Sequence, residues 1–282
     1  MLRRLLPSAF LLLSCLASYG QDVELRDSLR AAVKTDSRKV ARTLGGLSTD
    51  VKGIRAVVSP LGEGDPIKWV QGLPGITTGA DGTSAFYVRG GNAGNNLFSL
   101  DGVPVYGYSH LLGLTTAVPQ SIMGEVALSK GGFGGSESNF TASHLKIESR
   151  LPKEDSATSI SINNFLISAS DERRISDRTT YMASARISPL GLEYGLVRGL
   201  LPELLGGLSR FRAGVGDLYG KIHTELGSGR TLDFSAMGTM DSYSFSPDGE
   251  PEERMGWNNA FVQARYRTSG NTDADYSLYI NH

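Results

Sequence analysis

Side chains able to do chemistry are few in this 282-residue chain, and their spacing does not assemble a reactive site. Four histidines occur, His110, His144, His223 and His282, and none is spaced with a cysteine or a second histidine as a metal site requires. Cys15 is the only cysteine and sits in an N-terminal apolar run, so the chain beyond it has no thiol for disulfide or thiolate chemistry. Gly131 to Gly135 lacks the Gly-Lys-Ser/Thr of a phosphate loop. Gly214-x-Gly216 opens a strand pattern rather than a helix, and no nucleophile elbow is visible. Asn139-Phe140-Thr141 fits a glycosylation acceptor, a three-residue pattern too short to carry a function by itself. The expectation is a protein that is not an enzyme and needs no cofactor or metal.

The charge balance narrows the partners. Lys and Arg number 28 against 29 Asp and Glu, a net charge of −1, which gives no basic surface for nucleic acid. Thirty-five glycines with tyrosine and phenylalanine favour turns and strands. Residues 1–20 have the form of a signal peptide: Arg3 and Arg4, an apolar run from Leu5 to Leu16 broken by Pro7, then Ala17, Ser18 and Gly20. Cleavage after Gly20 leaves Gln21 first. Leu12 to Cys15 partly imitates a lipoprotein site, but apolar Leu16 follows it. The run is too short to span a membrane as a helix, and no longer one follows. If this exported chain is integral to a membrane, it must be a barrel.

Two kinds of element follow the leader. Residues 21–44 read as a solvated linker or periplasmic segment, and 45–150 as a compact mixed α/β unit. Asp65-Pro66-Ile67 is a helix start, with an N-cap carboxylate and proline at the first helical position; Gly72 and Pro74 end it. Phe86 to Arg89, Leu97 to Leu100 and Val126 to Leu128 are short strands, and Pro119 to Met123 a short helix. From residue 157 the period becomes two. Tyr181, Ala183, Ala185 and Ile187 oppose Thr180, Ser184 and Arg186; Leu218, Ile222 and Leu226 oppose Asp217, Lys221, His223 and Glu225. The same pattern recurs at 230–243, 257–268 and 272–281, and residues 157–171 form two short strands around a turn at Asn163-Asn164. Gly227-Ser228-Gly229 and Ser269-Gly270-Asn271 are tight turns, while 189–213 and 244–255 are long connections. Short turns alternating with long loops is the layout of an outer-membrane barrel. A soluble sandwich alternates similarly, but charged side chains occupy the face that would be its core.

The α/β unit resembles a known family. Gly62-Glu63-Gly64-Asp65-Pro66-Ile67-Lys68, Leu73-Pro74-Gly75-Ile76 and Tyr87-Val88-Arg89-Gly90-Gly91-Asn92 resemble the plug of TonB-dependent outer-membrane receptors. Leu100-Asp101-Gly102-Val103-Pro104-Val105-Tyr106, Ser109-His110 and Leu128-Ser129-Lys130-Gly131-Gly132-Phe133 continue the string in order. The nearest likeness is to Bacteroidetes-type receptors, which often carry a carboxypeptidase-regulatory-like domain ahead of the plug. The match is dense over 45–150 and looser at Gly216-Asp217-Leu218-Tyr219 and Trp257-Asn258-Asn259.

The resemblance implies a plug inside a 22-stranded barrel that captures a scarce nutrient, of the siderophore, cobalamin or glycan class, and releases it inward when TonB of the inner-membrane complex acts. It implies outer-membrane lipid as surroundings, a periplasm-facing plug and, in some relatives, a surface lipoprotein lid. Arg89 is expected to pair with barrel carboxylates and lock the plug. Gly90, Gly91, Asp101, Gly102, Pro104, Glu125, Lys130, Gly131 and Gly132 are expected to serve plug architecture. The expected ligand contacts are Asn92, Asn95, Asn96, Tyr106, Tyr108 and His110, and the TonB-box candidate is Asp22, Val23, Glu24 and Leu25. The chain departs from the family at Met123, where many relatives carry a second arginine, and at Gly134 to Ser138, where Tyr-Gly-Gly-Arg is usual. Residues 156–282 hold about seven strands, so the sequence reads as a truncated part of a longer receptor. The alternatives are a binding or signalling receptor without transport, and a non-functional fragment.

Overall fold

The computed structural model describes residues 41–43, 46–55, 57, 59, 62–79, 83–131, 133, 140–152, 155–163, 165–200, 208–247, 251–269 and 273–282. The expected leader at 1–20, the TonB-box candidate Asp22 to Leu25, most of the 21–44 segment and Gly132 lie outside the described residues.

The N-terminal unit contains β1 (Ala41–Thr43), β2 (Gly46–Asp50), helix α1 (Val51–Arg55), helix α2 (Pro66–Gln71), β3 (Ile76–Thr78), β4 (Phe86–Val88), β5 (Asn96–Leu100), β6 (Val103–Pro104), β7 (Ser109–His110), β8 (Thr115–Thr116), β9 (Met123–Ser129) and β10 (Ser143–Ser149). Its sheet runs β1-β2-β9-β10-β5-β6, with β10 parallel to β5 and antiparallel to β9. The sheet begins at Ala41, inside the stretch read as linker. Asp65 caps α2, accepting from the Ile67 amide at 2.7 Å, and Pro66 supplies the preset φ at the first turn. That start turns Ile67, Trp69 and Val70 into a core shared with Leu100, Val126, Leu128, Leu145 and Ile147. Between β5 and β6 the two-residue loop Asp101-Gly102 has φ of 51° and 85°, a type I′ turn whose twist matches the strands it joins.

The second sheet is a sequential antiparallel meander: β11 (Ser156–Ile162), β12 (Ile167–Ser176), β13 (Thr179–Ile187), β14 (Leu208–Gly227), β15 (Arg230–Pro247), β16 (Glu253–Thr268) and β17 (Ala274–Asn281). Among the described residues no helix is long and apolar enough to cross a membrane. The strand faces are sorted inside out. Toward the α/β unit, Asp217, Tyr219, Lys221 and His223 on β14 are buried, as are Asp233, Ser235, Thr239 and Asp241 on β15. On the opposite face Leu218, Ile222, Phe234, Met240, Val262, Leu278 and Ile280 are exposed. From Leu232 to Met240 this apolar face rises about 20 Å, given ~3.4 Å per residue and a tilt of ~40°, close to the band that a lipid-facing barrel presents.

The strands run further than their alternation predicts. β14 begins at Leu208, β15 reaches Pro247 and β16 begins at Glu253, while helix α3 (Leu190–Leu200) fills part of the 189–213 connection. The reason lies in the residues that share the outward parity in these extensions, Arg212, Ser244, Ser246, Arg254 and Gly256. They carry no apolar period, so the backbone ladder continues where the hydropathy signal stops.

Candidate functional site

The α/β unit meets the strand wall along a seam of buried charge. β7 delivers His110 to the wall, where its side chain is 0% exposed. His110 Nδ1 is 2.6 Å from Asp241 Oδ2 on β15, and Nε2 is 3.1 Å from Asp217 Oδ2 on β14. Burial pushes the imidazolium down, but the hydrogen bonds with Asp217 and Asp241 outweigh it and hold His110 above the usual histidine range. Arg186 of β13 completes the cluster. Its Nε donates to Asp217 at 2.7 Å, its Nη1 to Glu63 at 2.5 Å and its Nη2 to the Thr116 carbonyl at 2.9 Å. Asp241 also accepts from the Tyr243 hydroxyl at 2.6 Å and from the Leu111 amide at 3.3 Å. With His110 protonated, two cations face the three carboxylates Glu63, Asp217 and Asp241. Glu63, Thr116, His110 and Leu111 come from the α/β unit; Arg186, Asp217, Asp241 and Tyr243 come from the wall. The cluster therefore fastens one body to the other.

A second set of contacts lies toward the tight-turn end of the strands. Asp101, fixed by its type I′ turn, accepts from the Tyr219 hydroxyl at 3.1 Å, and its carbonyl accepts from Gln263 at 2.9 Å. Lys221 donates to Ser149 at 2.8 Å and lies 3.9 Å from Asp101 and 3.8 Å from Asp233. Arg265 joins Glu148 at 2.8 Å, and Arg150 pairs with Glu172. Back at the level of the first cluster, on the cross-strand rung of Asp217, Asn259 accepts from the amides of Tyr106 and Gly107 at 3.1 and 3.2 Å. A β-carbon at Gly107 would stand 2.5 Å from the Trp257 ring, so only glycine lets the backbone come this close to the wall.

The residues singled out from sequence are not gathered in one place. Tyr106, Tyr108 and His110 lie on the segment along the wall: Tyr106 is exposed, Tyr108 stacks on Phe98 at 5.2 Å, and His110 is wholly buried. Asn92 and Asn95 are exposed before β5. The Asn96 amide bonds the α/β unit's own backbone, donating to the carbonyls of Phe86 and Ala93. Arg89 is exposed with φ of 52°, its guanidinium over Gly131, and it makes no ion pair with a wall carboxylate among the described residues. The arginine of the His110 cluster is Arg186, supplied by the wall, and the α/β unit's own arginine that pairs with a wall carboxylate is Arg150, with Glu172. Gly90 and Gly91 turn the chain after β4, Lys130 donates to the Pro74 carbonyl at 2.9 Å, Pro104 accepts from Asn281 at 3.2 Å, and Glu125 is exposed on β9. Among the described residues no group of His, Cys, Asp and Glu is placed to hold a metal ion.

Sequence reasoning placed Arg186, Asp217 and Asp241 on the charged strand face but missed them as partners of His110 and Glu63. Their signal was the inward parity of ionisable residues. Nothing local told which element of the other body would meet them.

No family profile matches the sequence, and no curated protein matches it. Solved structures do. The outer membrane transporter YddB from Escherichia coli superposes with a TM-score of 0.61 at 10% identity, covering 86% of this chain and 39% of that one. The ferric enterobactin receptor PfeA from Pseudomonas aeruginosa gives 0.56 at 13% identity, covering 89% and 41%. FpvA of P. aeruginosa, bound to a heterologous pyoverdine–iron complex, gives 0.53 at 14% identity, covering 82% and 33%. The chain thus has the fold of these receptors, a small α/β plug followed by antiparallel transmembrane barrel strands, and spans about two fifths of the length of the first two.

Proposed function

We propose that this chain is the plug and leading barrel strands of a TonB-dependent importer, with residues 45–150 as plug and 156–282 as wall. The observation that carries this reading is the pairing of a charged, plug-bearing inner face with an apolar outer face on the same strands. An aqueous lumen closed by a plug tolerates buried carboxylates; a soluble core would not keep them beside exposed Leu and Ile. A barrel of this width would leak without an occluding domain. In this reading the leader at 1–20 exports the chain to the outer membrane, Asp22 to Leu25 meets TonB, and the plug faces the periplasm.

The proposed cargo is a scarce nutrient of the siderophore, cobalamin or glycan class. Among the similar structures, PfeA is a ferric enterobactin receptor and FpvA was solved with a pyoverdine–iron complex, which supports an iron chelate as one member of this cargo range. The Bacteroidetes-type affinity rests on the motif string of the plug, and a lipoprotein lid on that affinity.

Growth of a deletion strain on defined iron, cobalamin and glycan sources tests the reading. Loss of growth on one source, restored by the full-length gene, is the expected result. Ligand capture at the cell surface with unchanged uptake would instead favour a signalling receptor. Absence of the protein from outer-membrane fractions would sink the transport reading.

A further inference from the structure

Beyond Met240 the outer face of the wall changes character. Strand register sets Arg212, Ser244 and Arg254 in one cross-strand row and Gly214, Ser242 and Gly256 in the next. Parity places both rows on the face of Leu218 and Met240, away from the plug. With Glu252 they line a cleft of about 500 Å³. Arg212 is exposed, and the Arg254 side chain is 75% exposed and donates to Glu252 at 2.9 Å. Two cations against one carboxylate leave the cleft positive. Its glycines keep the floor at backbone level, with room for a group the size of a phosphate.

The floor continues down into the apolar band. Ala183, Gly220 and Ala236 stand side by side across three strands, and Gly238 faces Ala260 in the row above. Two apolar grooves of about 630 and 670 Å³ follow this floor between the larger side chains of Leu218, Ile222 and Phe234. Gly238 and the arginine row are six residues apart along β15, roughly 15 Å at ~3.4 Å per residue and a tilt of ~40°. That is within the reach of one acyl chain hanging from a headgroup.

We infer that this face holds one anionic membrane lipid, with its phosphate against Arg212 and Arg254 and an acyl chain in the small-residue floor. Charge complementarity chooses the occupant. The cations lie just beyond the hydrocarbon band, where headgroup phosphates lie, and in the same column as the grooves. A packing helix or a second copy of the chain would fit the grooves but would leave the arginine row unanswered. The inference rests on the membrane-spanning reading of these strands.

The test is native mass spectrometry of the full-length protein in detergent, titrated with diphosphorylated lipid A, its dephosphorylated form, and inorganic phosphate. Heat-dependent gel migration is scored first, and a protein that shows no folded barrel overturns both the membrane reading and this inference. With the barrel folded, lipid A is expected to bind one per chain. Arg212→Ala with Arg254→Ala should weaken it about 30-fold, at roughly fivefold per arginine. Dephosphorylated lipid A should bind wild type as weakly as lipid A binds that variant. Glu252→Gln, which removes the competing carboxylate, should tighten lipid A severalfold, an outcome that no folding defect imitates. Gly238→Leu should weaken lipid A by filling the floor. Unchanged binding in the arginine variant, binding of free phosphate as tight as that of lipid A, or dimers in place of lipid adducts would each overturn the inference.

Discussion

The inner and outer faces of β14 and β15 follow opposite rules although they alternate residue by residue along the same chain. Inside, Asp217, Lys221, Asp233 and Asp241 are buried and each is answered by a hydrogen bond or a counter-charge. Outside, Leu218, Ile222 and Phe234 are exposed, and no side chain among the described residues covers them. A buried charge is tolerable only when paired, and an exposed apolar band is tolerable only in lipid. The difference fits the proposed setting of this wall, a plug on one side and a bilayer on the other, with each face suited to one of them.

The strongest way to break the comparison is to strip the inner face of its central cation. Arg186→Met leaves the buried Asp217 and the partly buried Glu63 without their arginine. Loss of one partner from such a pair costs about 3–5 kcal/mol. The expected result is a large fall in the denaturant midpoint and protease sensitivity at the plug, whereas Arg186→Met with Glu63→Met and Asp217→Leu should recover part of the loss. An Arg186→Met protein as resistant as wild type would remove the seam's role in docking.

A charge on the outer face should cost somewhat less. Ile222→Arg places a guanidinium in the apolar band, where arginine near the bilayer midplane costs roughly 2–4 kcal/mol. Reversible unfolding from vesicles should report that penalty, and the same variant in detergent a smaller one. Equal stability in both would argue that β14 does not face lipid.

The smallest and sharpest prediction concerns pH. His110 and His144 lie in one domain but shift in opposite directions. His110 is held above the usual 6.5 by its two aspartates, so its contribution to docking is fully present below about pH 6.5 and is lost as pH rises through its folded-state value. His144, bonded to Ser99 at 2.7 Å, is pushed down to about 4 by burial. Its contribution is present above pH 6.5 and is lost as pH falls toward 4. Thermal midpoints from pH 4 to 9 should lose their alkaline slope in His110→Gln and their acid slope in His144→Gln. If both variants keep the wild-type profile, neither histidine carries the linkage.

Much of this architecture was legible in the residues. The Asp65-Pro66 helix start, the Asp101-Gly102 turn and the alternation at 214–227 are local: a cap, a positive φ and a period of two act within a few positions. The extended ends of β14 to β16 were not legible, because Arg212, Ser244, Ser246, Arg254 and Gly256 give the ladder no hydropathy to read. The candidate site was half legible. The resemblance pointed to Arg89 as the lock and to His110 as a ligand contact, while the folded chain exposes Arg89 and buries His110 between two wall carboxylates.

The sequence by itself determined the elements, the two-faced strands and the inward parity of the charged residues, because side-chain direction in a strand follows from position alone. Only the tertiary structure decided which charge answers which. His110 meets Asp217 and Asp241 across separations of 107 and 131 residues, and Arg186 reaches Glu63 across 123. Pairings at that range follow from how one body is seated against the other, and no local period encodes the seating.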